Sequence, residues 1–374
     1  MIIEIVEVLK YMDRPNKLLL VGTFRHYFIG LGLALNDSKC NYHLVFINQK
    51  FDDERNLIYQ ASLKIVEPFA SVSCLPLRTS KFKQKNINRK AAFRVLREKI
   101  STIKPVEIAT GNDRRIEFQY AMHFSRNIMG LAVKGSFLDQ GTGSYVSFQK
   151  INMRKYLARK WIDVPIKKLA YGGWFSRMRR YGESHWTDAC YLTHPSLAPD
   201  YLLKKECVEV NVDFYKSEQA LRVIKSIVDF LGCGDERRLK KAGLLLVLPH
   251  SSTIKEMYGS LEQAKEFFRS ICCSNEGVYA KYHPADPGDL LDLSGQAHIL
   301  PSQMPVEILF SVMVFDKVIG DISTSLLSAK WMLPDAKVYY FDISSLYVDR
   351  IRGLFSSINV LPLKVISDGV LDKC

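Results

Sequence analysis

The chain has 374 residues, with 52 Lys and Arg against 39 Asp and Glu, a formal net charge of +13. Hydrophobic residues make up 47% and charged residues 24%, which excludes intrinsic disorder because there is ample apolar material for a core. With 21 Gly and no heptad run, collagen-like and coiled-coil classes are excluded as well.

In chain order, the apolar run Leu18 to Val21 reads as a buried strand ending in Gly22-Thr23. Strands follow at Tyr42 to Asn48, Phe69 to Leu77, Val106 to Ala109 and Leu131 to Leu138. Helical periods lie between them at Glu54 to Val66, Asn88 to Ile103 and Ile116 to Ser125. A second series starts with a helix from Ser217 to Leu231, then a strand at Leu244 to Leu248 and a helix at Leu261 to Cys272. It continues through strand Val278 to Tyr282, helix Val306 to Val314, strand Lys317 to Ile319 and helix Thr324 to Met332. Strand Lys337 to Phe341 and a helix from Ser344 close it. Alternating strands and helices define the α/β class. Two successive series predict two Rossmann-like domains, residues 1–213 and 214–374.

The longest apolar stretches, Ala242 to Leu248 and Ile308 to Phe315, fall far short of the roughly 20 residues of a spanning helix. Glu4 and Glu7 interrupt the N-terminus, so no signal peptide is expected. Eight dispersed cysteines without a Cys-x-x-Cys read as reduced thiols in a cytoplasm, and structural zinc is not expected.

Two basic blocks carry more than the whole net charge. Arg78 to Lys104 holds ten basic residues against Glu98, and Arg154 to Arg180 holds nine against Asp163. The second block includes Lys167, Lys168, Arg177, Arg179 and Arg180, interleaved with Tyr156, Trp161, Tyr171, Trp174 and Phe175. That mixture suits a glycan groove or a membrane interface better than a bare solvated face.

Three motifs sit at strand ends, where ligands bind in open α/β sheets. The first is Asp139-Gln140-Gly141-Thr142-Gly143-Ser144-Tyr145. Its carboxylate is a candidate general base, and Gly141 and Gly143 are loop glycines; the plain reading is a turn. The second is Lys281-Tyr282-His283-Pro284, whose imidazole is suited to a departing phosphate. His194-Pro195 repeats the dipeptide and serves as an internal comparison expected to have no role. The third is Gly320-Asp321-Ile322-Ser323-Thr324-Ser325, a glycine turn opening a helix. It is either a cap or a phosphate cradle. Upstream, Glu307 lies in the first turn of another helix, where it favours the dipole or reaches a ribose. A complete Gly-x-Gly-x-x-Gly, a Walker sequence and an Asp-x-Asp pair are all absent.

In this order the motifs resemble those of bacterial sialyltransferases, closest to the capsular polysialyltransferase family. The resemblance implies a GT-B fold, two Rossmann-like domains with an interdomain cleft. It also implies metal-independent, inverting transfer of sialic acid from CMP-sialic acid, which serves as donor substrate with no cofactor. Carried over, Asp139 is the base and His283 the acid or leaving-group stabiliser. Lys281, Pro284, Ser323, Thr324 and Ser325 belong to the donor site, and Glu307 to the ribose. The family's second acidic residue is Gln140 here, an amide that cannot be a base. Expected partners are the CMP-sugar, an anionic glycan acceptor, the inner face of a bacterial inner membrane and other capsule-assembly proteins, with no nucleic acid. The alternatives are single-residue addition, another CMP-activated nonulosonic acid, or a non-catalytic basic protein binding nucleic acid or membrane.

Overall fold

The computed structural model describes residues 14–47, 57–76, 82–146, 159–232, 240–286, 288–341 and 348–363. The chain forms two compact units, Met1–Ala220 and Leu221–Cys374, so the division falls inside the helix Glu218–Phe230.

The first unit is a seven-stranded parallel sheet in the order β3-β2-β1-β4-β5-β6-β7. Its strands are β1 (Asn16–Val21), β2 (Asn41–Phe46), β3 (Ser71–Cys74), β4 (Glu107–Thr110), β5 (Lys134–Leu138), β6 (Ala189–Leu192) and β7 (Glu206–Glu209). Leu18, Leu20 and Val21 are fully buried, because helices cover both faces of a parallel sheet. That is why β1 reads as an unbroken apolar run. The helix Phe93 lies on, Phe82–Ile103, packs Ala92, Leu96 and Ile100 against Leu18 and Leu20. On the helix Phe24–Asn36, Phe28 stacks on Tyr215, with ring centroids 4.2 Å apart.

The second unit is a six-stranded parallel sheet in the order β10-β9-β8-β11-β12-β13. Its strands are β8 (Lys240–Val247), β9 (Val278–Lys281), β10 (His298–Leu300), β11 (Met313–Gly320), β12 (Lys337–Phe341) and β13 (Val360–Leu363). Leu244, Leu246, Phe268, Ile271 and Ala280 form the centre of its core.

Four strands lack a signal in the sequence reading, and three of them are edges. β7 is Glu-Cys-Val-Glu with both ends exposed, β10 has three residues, and β13 carries Pro362. Short, charged or proline-bearing strands are how sheets blunt their edges. The fourth, β6 (Ala-Cys-Tyr-Leu), is buried but too short for its period to register. The strand expected at Lys317 to Ile319 begins at Met313, directly after the helix Val306–Val312. One apolar run thus serves two elements. Of the expected segments, 48, 54–56, 77 and 344–347 lie outside the described residues.

Each sheet reverses its strand order once, between β1 and β4 in the first unit and between β8 and β11 in the second. Such switch points open a crevice at the carboxyl ends of the strands. In the first unit the ring of His26 occupies it. A Cβ added to Gly111, just past β4, would lie 2.0 Å from His26 Nε2. Gly111→Ala should therefore cost about 1–3 kcal/mol, seen as a lower urea midpoint with an unchanged slope. A parent-like midpoint would contradict the packing.

Candidate active site

Asp139 follows β5 and is 0% exposed. Its Oδ1 accepts from the Gly141 backbone N–H at 2.6 Å and from Ser144 Oγ at 3.1 Å. Its Oδ2 accepts from Tyr145 Oη at 2.5 Å, Thr193 N at 3.0 Å and Thr193 Oγ1 at 2.6 Å. Arg25 Nη2 completes the shell at 3.2 Å. Burial alone would raise the carboxyl pKa. Arg25 and the donors from Thr193 and Tyr145 outweigh it and bring it down to about 2. Of the two motif glycines, only Gly141 has a positive φ, 82°. Gly143 sits in a short helical turn, Thr142–Tyr145, close against Tyr181.

This carboxylate braces its loop and does not present a lone pair to an acceptor. The role of base, expected of Asp139, runs against its burial and its saturated oxygens. Gln140 faces inward too, its Oε1 2.7 Å from His26 Nε2. The Gly22 N–H lies 3.3 Å from His26 Nδ1, so Nε2 carries the proton and donates to Gln140. Burial lowers the His26 pKa to about 4. His26 was not singled out in the sequence, although its place just past β1 is the signal that could have found it. His194, expected to have no role, adjoins the Asp139 network: its Nδ1 is 3.0 Å from Thr193 Oγ1.

In the second unit His283 is exposed after β9, and its ring meets that of His250 edge-on at 4.9 Å. Burial first, then His250, lowers the His283 pKa, with Asp286 opposing. His250 follows β8 and caps the helix Ser251–Tyr258, accepting from the Ser252 N–H. His250, His283 and Asp286 could hold a cation, their ligand atoms lying within 4.8 Å of one another. Their hydrogen bonds argue otherwise. His250 Nδ1 accepts from Ser252 N at 3.1 Å and His283 Nδ1 from Ala285 N at 3.2 Å. Each neutral ring therefore keeps its proton on Nε2, which makes it a donor and not a metal ligand.

Lys281 and Glu307 are buried. Lys281 Nζ donates to the carbonyls of Tyr282 and Ser302, and burial lowers its pKa to about 8. Glu307 Oε1 accepts from Ser328 Oγ at 2.9 Å. Pro284 lends its carbonyl to Gln303. Lys281 and Pro284 secure loops, and Glu307 ties the helix Val306–Val312 to the helix Thr324–Met332. Ser323 is the N-cap of the helix Thr324–Met332, yet it makes no side-chain cap bond. Its Oγ is buried without a hydrogen-bond partner among the described residues, an arrangement native structures rarely leave unfilled. Thr324 and Ser325 are partly buried beside it.

The second basic block divides. Lys167 and Arg177 both reach Asp163, whereas Lys168, Arg179 and Arg180 are exposed. Arg89, Arg114, Lys167 and Arg177 line a pocket of about 390 Å³ with Tyr171 and Phe175. The helix Val164–Tyr171 buries none of its residues, and Leu169 is 91% exposed. Arg154, Lys155 and Tyr156 lie outside the described residues. Among the described residues no helix is long and apolar enough to cross a membrane.

No family model matches the chain, and no curated protein matches it. Solved structures do. UDP-GlcNAc 2-epimerase from Methanocaldococcus jannaschii superposes with TM-score 0.53 at 10% identity, covering 93% of this chain and 88% of that one. A UDP-glucosyltransferase from Polygonum tinctorium gives 0.51 at 13% identity, over 96% and 87%. UDP-GlcNAc 2-epimerase from Neisseria meningitidis gives 0.50 at 11% identity, over 90% and 85%. The fold is GT-B: two parallel-sheet Rossmann-like units in one chain.

Asp139→Ala should cost about 3–5 kcal/mol, because it breaks a buried ion pair by removing one partner. The folded pKa lies below the unfolded value of 3.8, so this stabilisation is complete above about pH 4 and fades as pH falls towards 2. Urea unfolding at pH 7 and pH 3 measures both. A parent-like Asp139→Ala protein would contradict the bracing role.

Proposed function

We propose that this chain is a glycosyltransferase that moves sialic acid, or a related nonulosonic acid, from its CMP-activated form to an anionic glycan. One observation carries the reading: the orphaned Ser323 hydroxyl at a helix N-terminus beside the β8–β11 switch point. Backbone N–H groups and a free hydroxyl at such a place hold a phosphate. The protonated Nε2 atoms of His283 and His250 are further donors for phosphate oxygens. The three motifs and the GT-B fold support the same reading. Within it, residues 221–374 bind the donor and the first unit receives the acceptor.

Chemically, the CMP phosphate leaves with the bonding electron pair, and its charge is stabilised by preorganised donors. The anomeric centre passes through an oxocarbenium-like state. This chemistry asks for no metal. The basic and aromatic pocket around Arg89, Arg114 and Arg177 suits a carboxylate-bearing sugar, with the rings stacking and the guanidinium groups pairing. The exposed apolar and basic surface around Leu169 and Lys168 suits an anionic bilayer.

Calorimetry with CMP and UDP tests the donor site. CMP should bind, and Ser323→Ala should weaken it about 10-fold, the smaller end of what a hydrogen bond to a charged group contributes. Preference for UDP would instead favour the chemistry named for the UDP-sugar neighbours. Unchanged CMP affinity would reduce Ser323 to a helix cap.

Reversing Lys168, Arg179 and Arg180 to Glu, with Leu169→Glu, should raise the acceptor KM and abolish flotation with phosphatidylglycerol vesicles. Parental CMP affinity should persist, and the KM effect should shrink with added salt. A variant that binds acceptor and vesicles like the parent would make this surface merely solvated.

A further inference from the structure

If acceptor transfer is the reaction, a group must take the acceptor proton, and three side chains at the sheet edge of the first unit compete for that role. Asp139 is enclosed and fully bonded. His26 is 2% exposed and spends its Nε2 proton on Gln140. The third is His194, just past β6 and only partly buried.

Hydrogen-bond bookkeeping fixes its tautomer. Thr193 has one hydroxyl proton, and the carboxylate of Asp139, 2.6 Å away, is its strongest acceptor. Thr193 Oγ1 must therefore accept in its other contacts, from Arg25 Nη2 at 3.0 Å and from His194 Nδ1 at 3.0 Å. His194 thus carries its proton on Nδ1. Its Nε2 has a lone pair and no hydrogen bond to the described residues. The backbone holds the ring in place as well, since His194 N–H donates to Tyr145 Oη at 3.1 Å. Tyr145 donates in turn to Asp139.

We infer that His194 is the general base, aligned by Asp139 through Thr193. This rests on the transferase reading above. The acceptor O–H gives its proton to His194 Nε2 as its oxygen bonds to the anomeric carbon. The bond from that carbon to the phosphate oxygen breaks, and the electron pair departs on CMP. The resulting imidazolium keeps donating its Nδ1–H to Thr193 Oγ1, whose own hydroxyl keeps donating to the Asp139 carboxylate. Burial, the largest effect, and Arg25 together outweigh the Asp139 carboxylate and bring the His194 pKa down to about 4, so the ring is neutral and able to accept a proton throughout the neutral range. Asp139 and Thr193 are positioning residues, and His194 alone meets the substrate.

The test uses the full chain with CMP-sialic acid and a sialylated acceptor. His194→Ala should lower kcat by about 10²- to 10⁴-fold, the usual contribution of a general base, with CMP affinity and urea midpoint near the parent's. Added imidazole should restore part of the rate. His194→Gln, which keeps a polar side chain without a basic nitrogen, should be equally slow and guards against a packing artefact. Activity of both variants within about twofold of the parent would overturn the assignment while leaving the transferase reading intact. A slow His194→Ala protein that imidazole fails to rescue, with His194→Gln restored to parental rate, would also overturn it. A parent that binds CMP but transfers nothing would sink the transferase reading itself.

Discussion

One buried carboxylate sets the geometry of the first unit. Asp139 draws together a helix (Arg25), the turn after β5 (Gly141, Ser144 and Tyr145) and the end of β6 (Thr193). Desolvating a charge costs several kcal/mol, recovered only when a partner and hydrogen bonds satisfy it. Here they do, so the residue is anionic throughout the neutral range. The same satisfaction removes it from contact chemistry. Its influence passes outward through hydroxyl groups, each with a single proton to give, and so it dictates the tautomer of the ring beyond.

The second unit uses the opposite arrangement. Its strand ends offer the Ser323 hydroxyl, without a partner among the described residues, and two imidazoles whose Nδ1 atoms accept from backbone N–H groups, with His250 Nε2 3.7 Å from the Asp286 carboxylate. N–H and O–H groups at a helix N-terminus are complementary to phosphate oxygens. The buried Lys281 bonds to loop carbonyls, and the buried Glu307 joins two helices through Ser328.

Much of the fold was legible because strands buried on both faces leave continuous apolar runs, as β1 and β8 do. Of the edge strands, β3 was legible but β7, β10 and β13 were not, since β10 is only three residues long and β7 and β13 hide their hydrophobicity behind glutamates and a proline. The motifs were found at strand ends, as the parallel topology requires. Roles were harder to read. Nothing local to Asp139 reveals Arg25, 114 positions away, and without that partner a carboxylate after a strand looks like a base. The two His-Pro dipeptides are also indistinguishable in isolation. Only the register of β5 against β6 brings His194 beside the Asp139 loop, and only the pairing of β8 with β9 brings His250 beside His283.

The account stands on nucleotide-sugar transfer, and the most direct measurement is the mass of the product. The purified chain would be incubated with CMP-sialic acid and a fluorescent sialylated oligosaccharide, and the products resolved by mass spectrometry. The account predicts acceptor heavier by one sialic acid residue, or a ladder of such additions, with stoichiometric CMP release in the presence of a chelator. Unmodified acceptor with intact CMP-sialic acid, alongside turnover of a UDP-sugar, would contradict it.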